Sequence, residues 1–104
     1  MIADNLTDPD LSVKSIAYTF QYNPDYIGRQ FKSIMGIPIG KYILSLRIKL
    51  AVKFLQETHE TVTNIARKCG FISLRHFLRQ FKNEKGVTPS ELRYRFQTIH
   101  INFE

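Results

Sequence analysis

An internal repeat constrains the fold of this 104-residue chain more than any other feature. Each copy holds a Ser or Thr, an Ile-Ala pair, an Arg-Gln-Phe triplet and a Gly followed by a β-branched residue. The offset between copies is 49 residues up to the Ile-Ala pair and 50 from the triplet onward, so the second copy has one extra residue between these landmarks. The pattern predicts one supersecondary unit that occurs twice. The copies are Ser12, Ile16-Ala17, Arg29-Gln30-Phe31 and Gly36-Ile37, then Thr61, Ile65-Ala66, Arg79-Gln80-Phe81 and Gly86-Val87.

The first copy has the signals of two short helices joined by a tight turn. Ser12 is a suitable N-cap for the first helix, and Asn23 caps the second with Pro24 at its first position. Gly36 ends this second helix. Its apolar residues recur at helical spacing and predict a buried stripe of Ile27, Phe31, Ile34 and Met35.

The second copy repeats these signals. Thr61 caps a short helix, and Ser73 caps another that ends near Gly86. Thr88 and Pro89 then open a last short helix, which we expect to end near Phe96. The pattern of two helices around a tight turn is typical of a helix-turn-helix unit.

Between the copies, a helix is predicted from about residue 38 to 57. One apolar face holds Ile39, Ile43, Leu46, Leu50 and Phe54, and a second holds Leu44, Ile48 and Leu55. A helix that is apolar on two sides packs between two bodies. We therefore predict an all-α fold with two homeodomain-like helix-turn-helix subdomains, 1–37 and 58–96, a linker helix, 38–57, and a tail, 97–104. The first residues, 1–6, read as the last turn of a truncated leading helix.

The chain is basic, with a net charge of +6. From residue 11 onward fifteen basic residues face six acidic ones, which predicts nucleic acid or an anionic membrane surface as the partner. The single Cys69 excludes an intrachain disulfide and a cysteine-rich zinc site, and fits a reducing compartment. No apolar run approaches the ~20 residues of a membrane span. No catalytic spacing, metal cluster or phosphate loop is present, so we predict no enzyme and no cofactor.

A set of spaced residues in the two copies forms a long pattern. In the second copy they are Ile65-Ala66, Gly70-Phe71, Phe77, Arg79, Phe81-Lys82, Gly86-Val87, Pro89 and Arg93, and in the first copy Ile16-Ala17, Ile27, Phe31-Lys32, Gly36, Tyr42, Arg47 and Ala51. Together they resemble the C-terminal signature of the AraC/XylS transcription regulators, over roughly residues 3–96. The resemblance implies two helix-turn-helix units on a rigid helix, bacterial cytoplasmic location, double-stranded DNA and RNA polymerase as partners, activation of transcription, and a missing N-terminal sensor or receiver domain.

The length of the linker helix fits two adjacent major grooves. A helix over residues 38–57 is roughly 30 Å long, and successive major grooves on one DNA face are about 34 Å apart. Recognition helices over about 24–35 and 74–85 could then bind one site. Because the two copies differ in sequence, we expect that site to be asymmetric.

In the second recognition helix, Phe77 and Phe81 are expected in the core, so Arg75 and Arg79 face outward as candidate base readers. Arginine binds guanine O6 and N7 bidentately. A solvated basic face, or contacts to phosphate, is the alternative. Family positions also imply base contacts for Leu74, which could touch a thymine methyl or pack locally, and for His76.

In the first recognition helix, family base-reading positions fall on Asp25, Gly28 and Arg29. Asp25 could accept from cytosine N4, or it could simply favour the first turn of a helix. Gly28 has no side chain to read with, so Arg29 is the main reader expected there. We expect this unit to be the less sequence-specific of the two.

Contacts to phosphate need charge and reach rather than a code. Each candidate could equally be a solvated surface residue, and Arg47 is assigned instead to packing or an ion pair. The phosphate candidates are Lys14, Tyr26, Lys32, Lys41, Arg67, Lys68, Ser73, Lys82, Thr88 and Arg93.

Two other functions fit a basic helical chain: binding an anionic membrane surface, and binding a protein partner. The first is disfavoured because the apolar stripes are used by the predicted cores. RNA binding is weaker still, because a capped helix suits the wide DNA groove better than the A-form groove.

Overall fold

The computed structural model describes residues 23–103, with side chains described for 23–97. This part contains five helices and no strand, which confirms the all-α fold. The predicted helix capped by Ser12, and the leading turn at 1–6, lie outside the described residues. The helices are α1 (Pro24–Met35), α2 (Ile39–Glu57), α3 (Val62–Lys68), α4 (Leu74–Lys85) and α5 (Pro89–Phe103).

Side-chain caps begin four of these helices at the predicted residues. The Asn23 Oδ1 atom accepts from the Asp25 N–H at 2.8 Å, which satisfies a donor that has no partner within the helix. Gly36 and Gly86 end α1 and α4 in the left-handed region, with φ of 81° and 78°. The other capping oxygens belong to Thr61, Ser73 and Thr88, which accept from the N–H of Asn64, His76 and Glu91.

The linker helix α2 packs into two apolar clusters, as its two-sided pattern predicts. A small cluster forms at its start, where Ile39 and Ile43 meet Ile27 and Phe31 of α1. A larger cluster forms along its second half, and Leu50 packs against both. The linker helix is therefore fixed by burial at both ends. The larger cluster consists of Ile48, Ala51, Leu55, Ile65, Ala66, Cys69, Phe71, Phe77 and Phe81.

Three apolar residues lie elsewhere than predicted. Ile34 and Met35 are 78% and 48% exposed, although the spacing predicts that they share a buried stripe with Ile27. Phe54 packs against the larger cluster instead of continuing the face of Ile39. Periodicity shows which side of a helix is apolar, but not where along the axis its packing partner ends.

The last helix is longer than predicted. It runs from Pro89 to Phe103 rather than ending near Phe96, so it continues into the segment 97–104 that we expected to be a tail. This segment contains neither Gly nor Pro, so no residue in it strongly opposes a helix.

Arg93 fastens α5 to the end of the linker helix. Its guanidinium donates to three backbone carbonyls, of Glu60 at 2.7 Å, Thr58 at 3.2 Å and Leu55 at 3.3 Å. The last carbonyls of a helix have no partner within it, and Arg93 supplies one there. This corrects the phosphate contact predicted for Arg93, because its donors are directed into the protein.

Replacing Arg93 by Ala should lower the free energy of unfolding by about 2–4 kcal/mol, because three carbonyls lose a charged donor. Arg95→Ala is the matched control. Arg95 is exposed on the same helix, and its loss should change stability by less than about 0.5 kcal/mol. Urea unfolding measures both. Equal effects for the two variants would show that the three hydrogen bonds contribute nothing.

Candidate nucleic-acid interface

The second helix-turn-helix unit is built around an aromatic row. The turn between α3 and α4 contains Gly70, whose φ of 92° favours glycine. Phe71 follows it and packs on Phe77, with the ring centroids 5.0 Å apart, and Phe77 packs on Phe81 at 5.7 Å. Both α4 phenylalanines are fully buried. Their burial fixes the rotation of α4 about its own axis.

The opposite face of α4 is exposed and positively charged. Arg75, Arg79 and Lys82 are spaced by four and three residues, so they share this face, and all three are exposed. The structure thus brings together the two arginines predicted to read bases and one lysine predicted to contact phosphate. Because all three side chains are exposed, they are not part of the core.

Two further candidates lie at the edges of this face. Leu74 is the first residue of α4 and is 39% exposed, so it remains available to a partner. His76 is half-buried, and its ring meets Phe71 edge-on at 5.7 Å. This contact orients His76 partly toward the turn.

The phosphate candidates of the second unit differ in how far they are engaged. Lys68 lies 2.8 Å from Glu60, and this hydrogen bond is the main cause that holds the pKa of the Glu60 carboxyl below its usual value. Arg67 is exposed in the last turn of α3. Ser73 and Thr88 use their hydroxyl oxygens as helix caps. A phosphate contact by Lys68 would therefore compete with Glu60.

In the first unit, the candidate base and phosphate contacts on α1 line a shallow groove. Asp25, Gly28, Arg29 and Lys32 line it together, and the start of α2 forms its other wall. The groove confirms that these residues share one side of α1, although Asp25 places a negative charge beside the two cations.

Other phosphate candidates lie nearby or beyond the described residues. Tyr26 is exposed on α1, and Lys41 is exposed on the first turn of α2. Lys14 lies outside the described residues.

Sequence reasoning missed one contact that bears on the recognition helix. The Ser45 hydroxyl of α2 donates to the Glu84 carboxylate of α4 at 2.8 Å, linking the linker helix to α4 across 39 residues of sequence. A single sequence offers no signal for such a pair, since both residues look like ordinary polar surface positions. Arg47, assigned to packing or an ion pair, is indeed buried.

Comparison with known proteins agrees with the fold and with the repeated unit. The helix-turn-helix domain family matches residues 16–95. The HTH-type transcriptional activator AarP of Providencia stuartii is 40% identical over 86% of this chain and 65% of its own. The regulatory protein SoxS of Salmonella typhimurium is 32% identical over 88% of this chain and 86% of its own.

A solved structure has the same architecture. The C-terminal domain of the two-component response regulator YesN from Fusobacterium nucleatum superposes with a TM-score of 0.86 at 27% identity, covering 88% of this chain and 89% of that one. The chain belongs to the AraC/XylS family of helix-turn-helix DNA-binding domains. It spans only 11% to 65% of the lengths of the first three curated relatives that it matches.

Two further properties were searched within the described part of the chain. Residues 23–103 hold no group of three or more His, Cys, Asp or Glu residues arranged to bind a metal ion. No helix in this range is long and apolar enough to cross a membrane.

Cys69 should be inert toward thiol reagents in the folded protein. Its side chain is fully buried, and burial raises the pKa of the thiol from 9.0 to about 12, although the Arg47 charge acts in the opposite direction. At pH 8 this shift lowers the thiolate fraction about a thousandfold, and the thiolate is the reactive species. We expect alkylation by iodoacetamide to be at least about a hundredfold slower in native buffer than in urea. Similar rates in the two conditions would contradict the burial of Cys69.

Proposed function

We propose that this chain is the DNA-binding part of a bacterial transcription regulator that inserts α1 and α4 into adjacent major grooves of one duplex. The exposed face of Arg75, Arg79 and Lys82 on α4 carries this proposal. These side chains project from a helix whose rotation is set by buried Phe77 and Phe81. A recognition helix needs this division into a packed side and a free basic side.

The linker helix supports simultaneous binding by both units. Its 19 residues give a length of about 28 Å, close to the ~34 Å between successive major grooves on one face. Burial at both ends keeps it from bending freely. One polypeptide would then do what a dimer of single helix-turn-helix units does on a palindrome.

We assign base reading mainly to α4. Arg79 and Arg75 suit guanine, whereas Leu74 and His76 lie at the edge of the same face. In α1 the groove offers Arg29 beside Asp25 and the side-chain-free Gly28. The first unit should therefore add affinity with less sequence preference. Phosphate contacts are assigned to Lys32, Lys41, Arg67 and Lys82, which are all exposed.

The whole protein is proposed to act in the bacterial cytoplasm without catalysis. Relatives named as transcriptional activators favour a role in activation, with RNA polymerase as a second partner. Because the chain spans only part of several relatives, a sensor or receiver domain of the same protein is expected to control it.

The proposal is tested by selecting bound sequences from a random duplex library and then comparing two variants on the selected site. Arg79→Ala should weaken the free energy of binding to the selected site by about 1–3 kcal/mol and relax the sequence preference at one base pair. Lys82→Ala should weaken all duplexes alike and reduce the salt slope, d log K/d log[salt], by about 1. The two variants remove charge from one helix face, so each controls for the other.

Three outcomes would oppose this assignment. Recovery of no preferred sequence would contradict specific binding. An affinity independent of salt would contradict a basic phosphate-binding surface. Tight binding to anionic lipid vesicles together with weak DNA binding would favour the membrane alternative.

The spacing between half-sites should be strict. Inserting about five base pairs, half a helical turn, between the two halves moves them to opposite faces of the duplex. The buried linker helix cannot follow, so affinity should fall to that of the second half-site alone. An insertion of about ten base pairs should not restore it, because α2 is too short. Affinities that tolerate either insertion would show that the units bind independently.

A further inference from the structure

Ile72 is the most exposed large apolar side chain among residues 23–97. It lies in the turn between α3 and α4, two residues before Leu74, and is 84% exposed. The next most exposed large apolar side chain in this range is Ile34, at 78%, which lies in the first unit. Leaving an isoleucine in water forgoes the roughly 1.5–3 kcal/mol that burial would supply.

Local packing does not use Ile72. An apolar residue just before the N-cap commonly packs on the first turns of the helix that follows. Here that space is taken by Phe71, which is buried and contacts Phe77. Ile72 itself lies at a bend in the chain between α3 and α4, and its side chain is exposed. It therefore adds little to the stability of the second unit.

The surroundings of Ile72 combine apolar surface with positive charge. Ile72 helps to line a shallow groove between α3 and the start of α4, together with Leu74, which is 39% exposed, and the largely buried Ala66 and Phe71. Thr63 and Arg67 line the same groove and supply a hydroxyl and a cation. Leu74, which lines this groove, is the first residue of α4 and directly precedes Arg75 in the sequence. An apolar surface beside a guanidinium suits a nucleotide with a methyl group and a phosphate.

We propose that Ile72 is a specificity-determining residue that contacts the C5 methyl group of a thymine in the half-site bound by α4. The inference rests on the proposed function. The thymine methyl is the apolar feature that base pairs present in the major groove. N-terminal residues of a recognition helix meet base edges, and Ile72 lies directly before its cap. Burying this methyl against Ile72 would remove both apolar surfaces from water.

The test replaces each thymine of the selected duplex by deoxyuridine, which pairs like thymine but lacks the methyl group. For the unmodified chain, one replacement in the half-site of α4 should weaken binding about fourfold. In Ile72→Ser the same replacement should have almost no effect. Ile72→Val keeps a branched apolar side chain and should retain most of the thymine preference. Ile34→Ser is the control, and its response to each replacement should match that of the unmodified chain.

Each remaining outcome would overturn the inference. Loss of the thymine preference in Leu74→Ser but not in Ile72→Ser would assign the methyl contact to Leu74. Equal weakening of thymine and uracil duplexes by Ile72→Ser would indicate a contact to deoxyribose. Loss of binding to phosphatidylglycerol vesicles with unchanged DNA binding would assign Ile72 to a membrane surface. The inference is also excluded if deoxyuridine can replace every thymine in the half-site of α4 without a change in affinity.

The experiment distinguishes failure of the proposed function from failure of the inference about Ile72. If the unmodified chain selects no duplex from the library, the function itself is wrong. If the chain selects a site and Ile72→Ser behaves like the unmodified chain on every thymine and uracil duplex, only the inference about Ile72 is wrong. Since Ile72 is exposed, thermal unfolding of Ile72→Ser should match that of the unmodified chain and confirm that the variant is folded.

Discussion

Burial of the linker helix α2 in two apolar clusters is the interaction on which the rest of the structure depends. Ile39 and Ile43 hold its start against α1, and Ile48, Ala51 and Leu55 hold its second half against α3 and α4. In the described part of the chain, both apolar clusters contain buried residues of this helix. The same burial makes α2 a spacer of nearly fixed length, so the core that stabilises the chain also sets the distance between its two recognition helices.

The second unit is held to this spacer by polar contacts as well. The Ser45 hydroxyl donates to Glu84 on α4, and Arg93 donates to carbonyls at and just beyond the end of α2. In the first unit, the described contacts to α2 include the small cluster around Ile39 and the Phe31 ring, whose centroid lies 5.1 Å from that of Tyr42. The orientation of α4, which holds most of the candidate base readers, is therefore set by a polar contact as well as by burial.

Much of the fold could be predicted from the sequence because caps and periodicity are local signals. Asn23, Thr61, Ser73 and the two helix-ending glycines mark helix limits through bonds to their own neighbours. The predictions failed where the role of a side chain depends on residues far away in the sequence. Ile34 is exposed, although its spacing predicts burial. Arg93 donates to three backbone carbonyls, and Ser45 donates to a residue 39 positions away. The candidate site was predictable in its outward face on α4, since burial of Phe77 and Phe81 dictates it. The exposure of Ile72 could not be predicted, because the sequence pattern does not say whether Phe71 or Ile72 is the buried one.

The strict division of α4 into packing and outward residues has a consequence for how such a domain diverges. Phe77 and Phe81 supply its core contacts, whereas Arg75, Arg79 and Lys82 are exposed. Exposed positions tolerate substitution at little cost in stability. Binding preference can then drift, or be redesigned, one side chain at a time while the scaffold stays intact. A duplicated unit doubles this freedom, because either copy can be retuned while the other keeps the chain on DNA.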